Sequence, residues 1–184
     1  MKRALITVAP GFEEIETITV IDILRRAEID VVVAATEPGE ITGSRGVKIV
    51  PDELLRNVVN NYDFDMIVLP GGLQGTMNLK NDACVKRIIQ EMYEQGKYIA
   101  AICAAPIVLA EAGLTRGKMI TSHPSVKEEL RDISIYQESR VAMDGQIITS
   151  RSPGTAMEFA MKLVDILVGK SKREEINKGV LAKW

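Results

Sequence analysis

Aromatic side chains are scarce: one Trp, four Tyr and three Phe make up 4% of the 184 residues. A core so poor in aromatics must be aliphatic, which suits buried parallel strands and the helices that cover them. Histidine is scarcer still, with His123 alone, and the cysteines are Cys84 and Cys103. One imidazole and two distant thiols do not supply an ordinary zinc site, and two cysteines make no disulfide framework. No apolar run approaches the roughly 20 residues of a membrane span. The start of the chain, Lys2-Arg3 followed by a short apolar run, lacks a signal-peptide pattern. A formal net charge of −2 gives no electrostatic case for nucleic acid or an anionic membrane. These absences predict a cytoplasmic chain with reduced thiols, no metal and no cofactor.

What is present is a chain of 46% hydrophobic and 26% charged residues, the size of one domain over 1–184. Residues 4–9 form a strand ended by Pro10-Gly11. A helical pattern follows from Glu13, with Val20, Ile23, Leu24 and Ala27 on one face, and 30–35 is a valine-rich strand. Strand, helix and strand within about 35 residues read as a βαβ unit in a parallel sheet. The turn-rich segment 36–46 leads into 47–50, placed at the sheet edge. Asp65 to Leu69 is the third core strand, running into the loop Pro70 to Gly75. Val85, Ile88, Ile89 and Met92 then mark an amphipathic helix that ends near Gly96. Further on come a strand over 118–121, a hairpin across Asp144-Gly145, and a helix bearing Ala156, Phe159, Ala160, Leu163, Val164 and Leu167, closed by Gly169. The basic tail adds one or two helical turns.

The stretch Tyr98 to Pro106 organises the rest. An apolar run stops at Cys103, passes Ala104-Ala105, and resumes as a helix with Pro106 in its first turn. Cys103 therefore sits in a strand-to-helix turn, where amides favour negative charge and small neighbours admit a substrate. That is a nucleophile elbow built with sulfur. It predicts a thiol pKa below its usual value of roughly 8.5. A small buried core cysteine fits the same pattern, and the residues alone leave both readings open. Strand ends at Leu69 and Ile102 aim two special loops at one crevice, and His123, just after another strand, belongs to the same layer. Of Glu13, Glu14 and Glu16 beside the first loop, one turned inward could relay protons. The pattern does not say which. Gly113 to Met119 is one residue short of a phosphate-binding loop and lacks its Ser or Thr.

Several segments resemble the ThiJ/PfpI superfamily, in the branch of the Parkinson's-disease deglycase and bacterial YajL proteins. They are Lys2 to Leu5, Gly11 to Thr17, Arg25 to Ala27, Leu69 to Gly72, Ala100 to Ala104, Thr121 to Pro124 and Thr149 to Thr155. The superfamily's proteases carry a histidine directly after the cysteine, where this chain has Ala104. The resemblance implies a flavodoxin-like three-layer α/β/α sandwich with a mostly parallel sheet, and a homodimer. It implies that Cys103 is an oxidisable nucleophile, Glu16 the protonated carboxyl bonded to its sulfur, and His123 a close neighbour. It further implies an oxyanion pocket from the Gly72 and Ala104 amides beside Gly71, with Arg45 and Pro153 near the site, Pro153 across the dimer interface.

On that basis the expected activity is conversion of 2-oxoaldehydes such as methylglyoxal to 2-hydroxy acids, or removal of their early glycation adducts, without a cofactor. A redox-responsive stress protein or chaperone using the same thiol is the alternative, and a cysteine peptidase the third.

Overall fold

A computed structural model of the chain describes residues 1–58 and 63–183. In chain order the elements begin with β1 (Arg3–Val8), α1 (Glu14–Arg26), β2 (Asp30–Ala35), β3 (Ile41–Thr42), β4 (Lys48–Ile49), β5 (Glu53–Leu54), α2 (Leu55–Val58) and β6 (Met66–Leu69). The middle of the chain holds α3 (Leu73–Asn81), α4 (Ala83–Glu94), β7 (Tyr98–Ile102) and α5 (Pro106–Glu111). The remainder is β8 (Met119–Ile120), α6 (Lys127–Leu130), β9 (Ile135–Tyr136), β10 (Val141–Asp144), β11 (Ile147–Ser150), α7 (Ala156–Val168) and α8 (Lys170–Gly179).

The main sheet runs β10-β11-β7-β6-β1-β2-β5 and is parallel except for β10, which pairs antiparallel with β11. Its order β2-β1-β6-β7-β11 is the flavodoxin-like one, with the topological switch between β1 and β6. Each core strand buries both faces. Ala4, Ile6 and Val8 join a cluster with α1, α7 and α8, while Leu5 joins the opposite cluster with α3, α4 and α5. In β7 the same split sends Ala100 and Ile102 one way and Ile99 and Ala101 the other. This double burial is why the strands read as continuous apolar runs, each fully buried Leu or Ile contributing about 1.5–3 kcal/mol.

Two placements differ from expectation. Residues 47–50 do not form the sheet edge: Lys48-Ile49 folds back on Ile41-Thr42 as a separate antiparallel ribbon, and Glu53-Leu54 takes the edge beside Ala34-Ala35. The Pro70 to Gly75 loop is shorter than its glycines suggest, because α3 begins at Leu73 with Gly75 inside it. A Cβ at Gly75 would lie 2.8 Å from the Phe12 amide nitrogen, so this glycine serves helix-to-loop contact and not a turn. The 118–121 strand pairs as Met119-Ile120 with Ile135-Tyr136, off the main sheet. At the C-terminus α8 spans ten residues; Ile176 is buried, Val180 packs on the core, and Leu181 is exposed. Among the described residues no helix is long and apolar enough to cross a membrane.

Candidate active site

The carboxyl ends of β1, β6 and β7 converge on Cys103. Between the end of β7 at Ile102 and the start of α5 at Pro106 lies a three-residue turn, and Cys103 opens it with φ +65°. That left-handed conformation costs a non-glycine residue about 1–3 kcal/mol. It is held by two hydrogen bonds from distant segments: the Cys103 N–H donates to the Ser150 carbonyl (3.1 Å), and the Cys103 carbonyl accepts the His123 N–H (2.8 Å). Any residue offers the carbonyl that Ser150 offers, so no sequence signal marks it.

The three glutamates at the start of α1 hold three different positions. Glu13 caps the helix, its Oε2 accepting the Glu16 N–H (2.7 Å), which fits its place just before the first helical residue. Glu14 turns to the 43–47 loop, accepting the Arg45 N–H (2.5 Å), the Ser44 hydroxyl (3.0 Å) and the Val47 N–H (3.4 Å). Burial pushes its pKa up, but these bonds together hold it below the usual carboxylate value. Glu16 is wholly buried and points to Cys103, its Oε2 accepting the Gly71 N–H at 2.8 Å. Gly71 makes this closeness possible, since a Cβ there would sit 2.5 Å from both Glu16 Oε2 and Cys103 Cβ.

Glu16 and Cys103 are within hydrogen-bonding reach of each other, while Glu16 Oε1 is buried with no partner among the described residues. A buried carboxylate oxygen without a donor is costly, so the neutral acid is favoured. Burial first, and the Glu13 charge second, push the Glu16 pKa up to about 8 against the bonds from Cys103 and Gly71. Cys103 is pushed up to about 12, by burial, then by the Glu16 charge and hydrogen bond, against the Gly72 and Ala104 amides directed at it. The expected lowering of the thiol is thus corrected: burial first, and the Glu16 carboxyl beside it, outweigh the helix start and the amides. The two groups resist carrying two charges together and titrate as a pair.

Gly72 sits at φ +86° as the residue before α3, a conformation that suits glycine and aims its amide at the sulfur. Its α-carbon packs against the first loop so closely that a Cβ would meet the Gly11 carbonyl and, at 2.7 Å, the Glu13 nitrogen. The His123 ring is turned to its own loop: Nδ1 accepts the Ser125 N–H (3.2 Å) and pairs with Ser125 Oγ (2.8 Å). An accepting Nδ1 leaves the neutral ring's proton on Nε2. Among the described residues the ring makes no hydrogen bond to Cys103 or Glu16. Arg45 is exposed, its guanidinium bonded to the Ser44 carbonyl at 3.3 Å, and is not brought to Cys103. Pro153 opens a short turn after β11, and the adjoining Ser152 lines a cavity with His123. Cys84 lies on α4, apart from this site. No cluster of His, Cys, Asp and Glu suited to a metal occurs among the described residues.

Residues 2–166 match the DJ-1/PfpI family. Protein dj-1beta of Drosophila melanogaster is 45% identical over 100% of this chain and 98% of its own length. The glutathione-independent glyoxalase DJR-1.2 of Caenorhabditis elegans is 35% identical over 96% of this chain and 95% of its own. The crystal structure of Drosophila melanogaster DJ-1beta superposes with a TM-score of 0.97, covering 100% of this chain and 99% of that one at 44% identity.

Proposed function

Since this chain belongs to the DJ-1/PfpI family, we propose that it is a cofactor-independent cysteine enzyme converting 2-oxoaldehydes to 2-hydroxy acids, with early glycation adducts as related substrates. One observation carries the reading: a buried, proton-retaining Glu16 is packed through a side-chain-free Gly71 against Cys103, with two amides aimed at the sulfur. The glyoxalase name of a relative 35% identical supports it.

In this mechanism the reacting form is the minor tautomer of the singly charged pair, with the charge on sulfur and the proton on Glu16; burial disfavours it, and the Gly72 and Ala104 amides stabilise its thiolate. The thiolate adds to the aldehyde carbon, and the alkoxide of the resulting hemithioacetal takes up the amide hydrogen bonds. Glu16 first gives its proton to that alkoxide; as a carboxylate it then takes the proton from the former aldehyde carbon and returns it to the neighbouring carbonyl carbon through an enediol, whose hydroxyl proton shifts between the two oxygens. This leaves a thioester of the 2-hydroxy acid. Water cleaves it, releasing the acid and restoring the thiol. His123, fixed to Cys103 through its backbone, flanks the entrance. A homodimer is part of the reading, supported by exposed Ile15 and Ile18 on α1 and exposed Val47 and Val50 on the loop that Glu14 ties to it.

Lactate formation from methylglyoxal without glutathione tests the proposal. Wild type should yield stoichiometric lactate, and Cys103→Ser and Glu16→Gln should each abolish it. Unaltered methylglyoxal with wild type, or undiminished turnover by Glu16→Gln, overturns the mechanism.

A further inference from the structure

A cavity of about 360 Å³ lies beside the site, lined by His123, Pro124, Arg140, Arg151, Ser152 and Thr155. Apart from Arg140, its walls belong to the two segments that clamp Cys103: His123 bonds the Cys103 carbonyl, and Arg151 follows Ser150, which bonds the Cys103 amide. The two cations in the wall differ. Arg140 pairs with Glu158 at 2.6 Å and with the Gly154 carbonyl at 2.7 Å. Arg151 is held by neutral acceptors alone, the Glu138 carbonyl (3.0 Å, from Nη1) and the Ser122 carbonyl (3.4 Å, from Nε). Among the described residues no carboxylate lies within ion-pair distance of it. A guanidinium whose direction is fixed by backbone carbonyls, with no carboxylate bonded to it, is preorganised for an oxyanion.

Resting on the proposed reaction, we infer that Arg151 forms a carboxylate subsite, so that the preferred substrates are 2-oxoaldehydes carrying a carboxylate at the end remote from the aldehyde. Cys103 is not itself in the cavity wall, and His123, which lines it, bonds the Cys103 carbonyl through its backbone. A substrate engaging both the sulfur and Arg151 therefore carries its acid group at the end remote from the aldehyde. A monoanion suits the charge better than a phosphate dianion. The Glu138 carboxylate is near enough to Arg151 to feel its charge, and Glu158 lies just behind Arg140, so a second negative charge meets repulsion.

The test compares 4,5-dioxopentanoate, which would yield 2-hydroxyglutarate on adding water, with the neutral 2-oxopentanal of the same chain length. The readout is the ratio of their kcat/KM values, which cancels general damage to the fold. Wild type should favour the acid by about tenfold or more, the scale of one charge-assisted hydrogen bond. Arg151→Gln should bring the ratio close to one, and Arg151→Lys should recover part of it. A ratio near one in wild type, or an unchanged ratio in Arg151→Gln, overturns the inference. Inorganic phosphate competing with the acidic substrate and not with the neutral one would assign the subsite to phosphate and overturn the carboxylate reading. Glutarate binding to wild type and Arg151→Gln, followed by calorimetry, needs no turnover. Loss of that binding in the variant, in a protein that consumes neither aldehyde, would keep the subsite while the reaction fails, and equal binding by both proteins would remove the subsite.

Discussion

Burying Glu16 should make the protein's stability fall with rising pH, in a way that one isosteric change removes. In the unfolded chain this carboxyl titrates near its ordinary 4.5; in the fold it is pushed up to about 8. A group raised in the folded state stabilises fully below its unfolded pKa, and its contribution is lost as pH climbs towards the folded value. Here the window is pH 4.5 to about 8, and the difference corresponds to about 5 kcal/mol. That is a large share of a typical folding free energy. Glu16→Gln keeps the shape and the oxygen that accepts from Gly71 but never ionises, so its stability should be nearly flat across the same range. Urea unfolding of both proteins at pH 5, 6.5 and 8 should show the variant gaining on wild type by about 1.4 kcal/mol for each pH step of one above 5. A difference independent of pH would refute the claim that Glu16 resists ionisation in the fold, and with it the proton reservoir on which the proposed chemistry depends.

Three further outcomes follow from the same geometry. Gly71→Ala brings a Cβ to 2.5 Å from both Glu16 Oε2 and Cys103 Cβ; it should cost about 1–3 kcal/mol by overpacking and alter the pH profile of Cys103 alkylation, and an unchanged midpoint and profile would contradict the contact. Cys103→Gly should unfold at a higher temperature than Cys103→Ala, because glycine accepts φ +65° without strain; calorimetry ranks the two directly. Glu14→Gln should loosen the 43–47 loop at neutral pH while sparing the sheet, seen as faster hydrogen exchange at the Arg45 and Val47 amides. Wild type should show the same loosening as pH falls, since Glu14 is held below its usual pKa and its grip is lost on protonation.

Much of this was legible in the residues because the relevant signals are local. The alternation-free apolar runs announce strands buried on both faces. The order strand-cysteine-small-small-proline announces the turn at Cys103, and Gly169 ends α7 where a glycine stop belongs. What escaped was non-local or backbone-borne. Gly75 looks like a loop residue because glycine is ambiguous without knowing that Phe12 packs on it. The ribbon over Ile41 to Ile49 could not be told from a sheet edge, since two-residue strands have too little periodicity to choose a partner. The three glutamates are equivalent by spacing and part ways only when Gly71 and the 43–47 loop are folded against them. The upward shift of the Cys103 pKa was missed for the same reason: position at a helix start is visible in sequence, but the depth of burial and the Glu16 carboxyl reaching over from α1 are not.

The clamp on Cys103 also dates the site within the life of the chain. The nucleophile lies at residue 103, yet its strand β7 sits between β6 and β11, and its amide waits for a carbonyl at residue 150. A chain emerging from the ribosome therefore carries an unclamped thiol, with Glu16 and Gly71 already made, for roughly two to nine seconds of synthesis at ordinary rates. Closing these long-range pairings is the slow part of folding such a sheet. Reactivity at Cys103 is consequently a property of the finished molecule, and a thiol-directed probe that distinguishes clamped from unclamped cysteine would report completion of the fold itself.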